Sequence, residues 1–291
     1  MYDLTLPSYA KINLGLLIKN KRSDGYHEIE TLLHQISLND KIQLRLAHDT
    51  DDIVFFSDNK LIPNDSNNLC VKAASVLKQH HSTTTGVHIY LEKRIPVGAG
   101  LGGGSSNAAV VLLGLNKLWG IRLNTDQLKE IASELGSDVP FFIEGGTALA
   151  TGRGEHLAAV CLSNPFHILV VYPDINISTA WAYNQVKLDL TRTTKSVRLA
   201  YFNNLDLSKS KSLSSLINQF ESVILSSYPV IGQIKKQMQE ARAVYTSLSG
   251  SGSAVFGMFR HLEDAMKIKE ELGGAYQCFL TNHIHWGYGQ M

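Results

Sequence analysis

A run of small residues between Pro96 and Ser106 has the composition of a site that binds an anion. Glycine has no Cβ, so its backbone approaches phosphate oxygens closely and successive N–H groups converge on them. The apolar residues from Asn107 to Trp119 predict a buried helix directly after the run, and its N-terminus adds partial positive charge. The run therefore predicts a phosphate-binding loop. Its residues are Pro96, Val97, Gly98, Ala99, Gly100, Leu101, Gly102, Gly103, Gly104, Ser105 and Ser106, and the two serines offer hydroxyl groups for a phosphate or a magnesium ion.

Gly98, Gly100 and Gly103 also satisfy the pattern G-x-G-x-x-G, which occurs in dinucleotide-binding folds and protein kinases. A dinucleotide fold needs the loop directly after its first strand and an acidic residue about 20 residues later, whereas this region holds the helix-capping Asn124. The sequence contains no Gly-Lys pair for a Walker loop, and neither His-Arg-Asp nor Asp-Phe-Gly of the protein kinases. A flexible glycine turn without function is the remaining alternative.

Phosphoryl transfer needs a carboxylate and a cation in one polar pocket, and Asp138 and Lys11 are the candidates. Asp138 lies in a short connection between Gly136, which can end a helix, and Pro140, so it has little freedom. Lys11 lies within an alternating strand, on the face opposite the apolar row. If the two side chains meet, the ammonium keeps the carboxylate ionised. The alternatives are a turn aspartate and a lysine that faces water.

Three segments together resemble one superfamily. Pro96–Ala109 reads Pro-x-x-x-Gly-Leu-Gly-Gly-Gly-Ser-Ser-x-Ala-Ala and is similar to the phosphate-binding motif of the GHMP kinases. Tyr9–Leu14 and Leu248–Ala254 look like the first and third motifs of these kinases, in the same order along the chain. The resemblance spans nearly the whole chain and implies an ATP-dependent small-molecule kinase, with mixed and antiparallel sheets packed against helices and the active site between two domains.

Ala10–Leu14, Asp24–His27 and Gly136–Phe141 are similar to one branch of this superfamily. That resemblance implies a cytidine diphosphate-linked polyol as the acceptor, phosphorylated at its 2-hydroxyl, with Asp138 as general base assisted by Lys11. It also implies that the cytosine lies between Tyr26 and an aromatic residue that maps to Tyr183, with Trp181 as the alternative, and that His27 reads the base edge. The residues expected at the acceptor are Asn13, Tyr26, His27, Thr179 and Tyr183.

On the ATP side, Asn68 and Leu69 resemble the adenine-side residues of the family, and Lys93 stands just before the loop. The magnesium-binding glutamate of the superfamily has no clear match, so we expect Mg²⁺ to be held mainly by ATP and a loop serine. His283 and His285 have strand spacing that is compatible with zinc, but they lack further nearby ligands. No metal site of the protein itself is expected.

Strands and helices follow one another without a strict βαβ rhythm, which favours an α+β fold. We expect two domains, at residues 1–155 and 156–291, because a new apolar strand at Phe166–Tyr172 follows a Gly-Arg-Gly turn. Residues 191–215 are rich in Thr, Ser, Lys and Asn and are expected to form a surface excursion.

The composition, with 44% hydrophobic and 18% charged residues, is that of a globular protein. A net charge of +1 provides no broad basic field for nucleic acid or anionic lipid, so we expect no nucleic-acid partner. The three distant cysteines predict no disulfide framework, and no signal peptide or membrane-spanning stretch is recognisable, so a cytoplasmic protein is expected. A homodimer is left open. The competing functions are a homoserine or mevalonate kinase of the same superfamily and a non-catalytic sensor of ATP and ligand.

Overall fold

The structure, a computed structural model, describes residues 2–163, 165–186, 204–207, 213 and 216–284. A mixed sheet forms the N-terminal half, and in it β1 pairs with β2 while the remaining order is β3-β4-β2-β5-β6. Within the described residues of this sheet, β3 and β4 are the pair that runs parallel, and the other pairs are antiparallel. The strands of this first sheet are β1 (Leu4–Lys21), β2 (His27–Ala47), β3 (Ile53–Ser57), β4 (Gly86–Glu92), β5 (Thr147–Gly152) and β6 (His156–Ala159).

The two longest strands, β1 and β2, pair antiparallel over almost their whole length. Apolar residues alternate along β1 as predicted, and Ile12 and Leu14 are fully buried. The opposite face is buried as well, since Lys11 is 5% and Asn13 3% exposed. The predicted half-buried strand is therefore covered on both faces, and its polar face lies inside the protein.

Four helices pack on the first sheet, and they are α1 (Leu69–His81), α2 (Gly103–Leu118), α3 (Thr125–Leu135) and α4 (Val139–Glu144). The central helix, α2, carries buried residues on most of its surface, as predicted. Its Gly114 allows a close approach to the sheet, because a Cβ there would lie 2.4 Å from Leu44 Cδ1.

Helix termini were predicted in part. Asn124 and Gln127 form the predicted capping box of α3, and Gly136 ends that helix. From the sequence, Asp65 or Ser66 is expected to cap helix α1, because either side chain can accept from the first N–H groups of a helix, but neither of them does. Its N-cap is Asn68, whose Oδ1 accepts a hydrogen bond from the Cys70 N–H, while Asp65 serves the preceding turn.

The C-terminal half contains an antiparallel sheet with the strand order β10-β11-β8-β12, next to a two-stranded parallel pair of β7 and β9. The strands are β7 (Cys161–Ser163), β8 (His167–Tyr172), β9 (Asn204–Asp206), β10 (Tyr245–Leu248), β11 (Val255–Phe259) and β12 (Gln277–Thr281). The helices are α5 (Thr179–Gln185), α6 (Glu221–Ser227), α7 (Pro229–Glu240) and α8 (Leu262–Gly273). The predicted α+β class is confirmed. Most of the predicted surface excursion at residues 191–215 lies outside the described residues.

The two halves share an apolar core. Strand β6 pairs with β5, so by sheet membership the change falls between Ala159 and His167, a few residues after the predicted residue 155. One apolar cluster joins Ile12 and Leu14 of β1 to Ile168 of β8, so β1 packs against both sheets. Within the described residues, no helix has both the length and the apolar character required to cross a bilayer.

Candidate active site

Two cavities open on either side of the glycine loop. The first cavity has a volume of about 340 Å³ and is lined by loop residues 96–105 together with Asn68, Leu69 and Lys93. We call it the donor cavity, because the sequence predicts that the phosphoryl donor binds there. The second, of about 530 Å³, lies on the other side of the loop, and we call it the acceptor cavity after the expected phosphoryl acceptor. Gly100 and Gly102 line both cavities, so the loop forms a wall that the two cavities share. The predicted residues that line the acceptor cavity are Lys11, Asn13, Tyr26, His27, Asp138, Thr179 and Tyr183.

The glycine loop is held by its carbonyl oxygens. The Ala254 N–H donates to the Ala99 carbonyl at 3.1 Å, and the Ser249 hydroxyl donates to the Gly100 carbonyl at 2.9 Å. The Lys11 N–H donates to the Leu101 carbonyl at 3.0 Å. Because C=O and N–H of one peptide unit point in opposite directions, the following N–H groups face away from these donors. This arrangement suits a loop that offers N–H groups to phosphate oxygens.

Gly100 lies where no side chain fits. Its φ is +79°, and a Cβ there would lie 2.1 Å from the Ser249 carbonyl oxygen and 3.0 Å from that of Gly252. The obstacle is backbone, which cannot rotate away as a side chain does. The glycine cluster near the C-terminus therefore packs directly against the loop.

The two loop serines face different ways. Ser105 lines the donor cavity, whereas Ser106 is fully buried and its Oγ accepts a hydrogen bond from the Ser8 hydroxyl at 2.8 Å. The structure thus brings Ser105, and not Ser106, to the predicted phosphate site. Among the described residues, no group of three or more His, Cys, Asp or Glu side chains is arranged to hold a metal.

Asn68 and Lys93 reach the donor cavity but are engaged by the protein. The Asn68 side chain caps α1, as described above, and also donates to the Pro63 carbonyl at 2.7 Å. Lys93 Nζ pairs with Asp40 Oδ2 at 2.8 Å and donates to the Ile95 carbonyl. Burial lowers the pKa of Lys93 below its ordinary value, and the charge of Asp40 opposes this effect.

Lys11 and Asp138 face each other across the acceptor cavity. Lys11 Nζ lies 4.0 Å from Asp138 Oδ2 and donates to Asn13 Oδ1 at 2.6 Å. Burial lowers the pKa of Lys11 from 10.5, and the Asp138 carboxylate partly opposes this shift. Asp138 stands at the N-cap of α4 and its side chain is 40% exposed, so it is open to a ligand.

Asn13 is fixed by a short hydrogen-bond chain. Its Nδ2 donates to Thr31 Oγ1 at 2.8 Å, and the Thr31 hydroxyl donates to the Gly15 carbonyl at 2.7 Å. The Asn13 oxygen therefore points at Lys11. These hydrogen bonds hold the Lys11 ammonium in its buried position, although the cost of burying the charge alone would favour a position in solvent.

Aromatic rings form the outer wall of the acceptor cavity. Tyr183 stacks on His27 with centroids 4.8 Å apart and an interplanar angle of 10°. Tyr26 is 57% exposed, with the Arg153 guanidinium 5.1 Å from the centre of its ring. Trp181 packs edge-on against Tyr228 and does not line the cavity. Tyr183 is thus the aromatic residue of α5 that meets the cavity.

The pKa shifts of His27 and Tyr183 both favour the neutral forms of these side chains. Burial lowers the pKa of His27 below 6.5, and the nearby charge of Lys21 acts in the same direction. Burial raises the pKa of Tyr183 to about 12, with a smaller contribution from Asp138. A neutral imidazole has one donor and one acceptor nitrogen, which suits the reading of a base edge.

The sequence reasoning missed several residues that line the acceptor cavity, notably Thr31, Ser137, Arg153 and Ser251. Ser251 lies within the C-terminal glycine motif and hydrogen-bonds with Thr179 at 3.0 Å. Arg153 lies in the Gly-Arg-Gly turn, which was interpreted only as a domain boundary. His283 lies 6.1 Å from His34 between ring centres, and His285 is outside the described residues.

Comparison with known proteins agrees with the fold and with these motifs. Residues 68–146 match the GHMP kinases N terminal domain, and residues 200–278 match the GHMP kinases C terminal domain. The class of the protein is thus that of the GHMP kinases. A 4-diphosphocytidyl-2-C-methyl-D-erythritol kinase of Chlorobium phaeobacteroides is 44% identical over 267 residues, covering 91% of this chain and 90% of the relative. The chain belongs to the family of 4-diphosphocytidyl-2-C-methyl-D-erythritol kinases.

Solved structures agree with this placement. The crystal structure of a 4-(cytidine 5'-diphospho)-2C-methyl-D-erythritol kinase is 31% identical, has a TM-score of 0.77 and covers 96% of this chain and 99% of its own. A homoserine kinase from Cytophaga hutchinsonii is 19% identical with a TM-score of 0.75, covers 99% of this chain and 98% of its own, and shows the shared fold alone.

The close packing of Gly100 leads to a test of stability. Gly100→Ala adds a methyl group against the Ser249 backbone at a positive φ, so we expect the free energy of unfolding in urea to fall by about 2 kcal/mol or more. Gly104→Ala is the matched control, because a Cβ there meets only Leu69 Cδ1 at 3.6 Å within α2. Its stability should be unchanged or raised by up to about 1 kcal/mol. Equal stability of the two variants would contradict the described packing.

Proposed function

We propose that this chain transfers the γ-phosphoryl group of ATP to the 2-hydroxyl of 4-diphosphocytidyl-2-C-methyl-D-erythritol, a step of non-mevalonate isoprenoid precursor biosynthesis. The observation that carries the proposal is the meeting of two cavities at Gly100 and Gly102, with Lys11 and Asp138 on the acceptor side. Membership of the kinase family supports the choice of substrates. The fold alone would not distinguish among acceptors.

In this proposal Asp138 accepts the proton of the attacking hydroxyl. The 4.0 Å separation of its carboxylate from Lys11 Nζ allows both groups to contact one oxygen placed beside them. The buried ammonium stabilises the negative charge that develops on the hydroxyl oxygen. Asn13 orients the ammonium, so the three side chains act as one unit.

The aromatic wall is assigned to the cytosine. Tyr26 and Tyr183 offer ring faces and neutral His27 offers a hydrogen-bonding edge, the combination that recognises a base. In the structure His27 occupies the face of Tyr183, so the base replaces that ring contact as it enters. Arg153 lines the same cavity and provides a cation for the diphosphate, while Thr179 is fixed near Ser251 to contact the polyol.

On the donor side, the glycine loop holds the phosphates and the cleft beside Asn68 and Leu69 receives the adenine. Ser105 would supply a hydroxyl oxygen for a magnesium ion that ATP would hold mainly through its phosphates. When bound, this ion neutralises charge on the transferring group. The chain itself contributes N–H groups, positioning and the exclusion of water.

A comparison of acceptors tests the reaction. We expect ADP release, followed with a coupled assay, to require 4-diphosphocytidyl-2-C-methyl-D-erythritol and to stay at background with mevalonate or homoserine. The reason is that mevalonate and homoserine are smaller and contain no base that could stack on the aromatic wall. Turnover with mevalonate or homoserine alone would replace the proposed acceptor, and binding of ATP and ligand without any ADP release would indicate a sensor.

The role of Asp138 is tested by Asp138→Asn. The amide cannot accept the proton, so kcat should fall about 10²- to 10⁴-fold, while KM for the acceptor and the far-ultraviolet circular dichroism stay close to wild type. Asp126→Asn is the matched control, since this exposed aspartate lies in the first turn of α3 and does not line the acceptor cavity. Near-normal turnover of Asp138→Asn would overturn the assignment.

The role of Lys11 predicts a pH dependence. Because burial lowers its pKa, the ammonium loses its proton as the pH rises through a value below 10.5. We therefore expect kcat to decline on the alkaline side below pH 10.5, with the fold intact by circular dichroism. Lys11→Arg should lower kcat at neutral pH and abolish this decline, because guanidinium stays charged. An unchanged alkaline decline in the variant would exclude Lys11 as the titrating group.

A further inference from the structure

Asp40, near the middle of β2, is a fully buried carboxylate that the phosphoryl-transfer chemistry does not use. Its Oδ1 accepts hydrogen bonds from the N–H groups of Arg94 at 2.7 Å and Ile95 at 2.8 Å. Its Oδ2 accepts from Lys93 Nζ at 2.8 Å and from Asn107 Nδ2 at 2.9 Å. Four donors thus converge on one carboxylate, enough to offset much of the cost of burying its charge.

The hydrogen-bond donors belong to two separate segments next to the donor cavity, and Lys93 and Asn107 line it. Lys93, Arg94 and Ile95 form the segment that leads into the glycine loop, and Asn107 lies in the second turn of α2. Asn107 Nδ2 also donates to Ser8 Oγ at 2.8 Å, which extends the network to β1. One carboxylate therefore sets the spacing between the entry to the loop, the helix that follows the loop, and the sheet beneath.

This spacing controls the position of the Lys93 ammonium. The ammonium lies so close to the start of α2 that a Cβ on Gly103 would be 3.2 Å from Nζ. The ion pair with Asp40 keeps the Lys93 ammonium at the wall of the donor cavity. Without this partner, the cost of burying the charge would favour a position of the ammonium in solvent. Asp40 itself is fully buried and does not line the cavity, so any effect it has on a nucleotide must act through Lys93 and the loop.

We propose that Asp40 is a positioning residue for the nucleotide, and that it preorganises the glycine loop and Lys93 to receive the phosphate groups of ATP. The inference rests on the proposed function, because it assumes that ATP occupies the donor cavity. A loop that is already fixed loses little conformational freedom on binding, which favours affinity. The acceptor cavity is built from other side chains, so its affinity should not depend on Asp40.

Asp40→Asn tests the inference. One side of the amide can still accept from the Arg94 and Ile95 N–H groups, but its NH₂ then faces the donors of Lys93 and Asn107. We expect the Kd for a non-hydrolysable ATP analogue, from calorimetry, and the KM for ATP to rise about tenfold, the factor for loss of one charge-assisted hydrogen bond. The KM for the polyol substrate should change less than about twofold. A general loss of stability would change both KM values together, so a difference between them identifies an effect on the nucleotide site.

Glu30→Gln is the matched control. Glu30 is a buried carboxylate on the same strand, paired with Lys19 Nζ at 3.1 Å and remote from the segment of Lys93 to Ile95. Its replacement should leave both KM values unchanged. A folded Asp40→Asn variant with unchanged or tighter ATP affinity would overturn the inference, as would an equal change in both KM values.

Ser8→Ala keeps the test decisive if Asp40→Asn fails to fold. It removes only the hydroxyl that links Asn107 and Ser106, so the Kd for the ATP analogue should rise about threefold with acceptor affinity unchanged. Unchanged nucleotide affinity in this variant would overturn the inference. Failure of the wild-type chain to bind any ATP analogue would instead overturn the proposed function, so the two failures are distinguishable.

Discussion

The contact between the glycine loop and the C-terminal glycine motif is the constraint on which the rest of the site depends. Gly100 presses against the backbone of Ser249, and the carbonyls of Ala99 and Gly100 accept hydrogen bonds from the C-terminal half. Two segments about 150 residues apart in the chain thereby become one rigid wall. Because Lys11 also binds this wall through its backbone N–H, the catalytic candidates and the phosphate loop share one frame.

Much of this site was predictable from the sequence because its residues are concentrated in short motifs. The glycine loop, the buried helix after it and the capping box at Asn124 follow from local chemistry, and the structure contains each of them. The predicted acceptor residues, together with Lys11 and Asp138, line one cavity even though they come from four separate segments. Here the family resemblance supplied what spacing alone could not, since no local rule relates Tyr26 to Tyr183.

The features that the sequence did not predict have physical reasons. Consecutive helical residues differ by about 100° in direction, so Ser105 and Ser106 could not both face the cavity once α2 began at Gly103. Alternation along β1 placed Lys11 on the polar face but contained no information on what covers that face. Asp40 was invisible because a buried carboxylate is recognised only by the donors that surround it, and those lie more than 50 residues away.

The stack of His27 on Tyr183 affects the energetics of recognition. Because the two rings already shield each other from water, a base that enters beside Tyr183 exchanges one ring contact for another, and the net gain from stacking is only their difference. Under the proposed function, selectivity then depends on the polar groups, through hydrogen bonds to the base edge and the charge of the diphosphate. Because His27 already covers the face of Tyr183, an aromatic ring that lacks these polar groups would gain little from binding there.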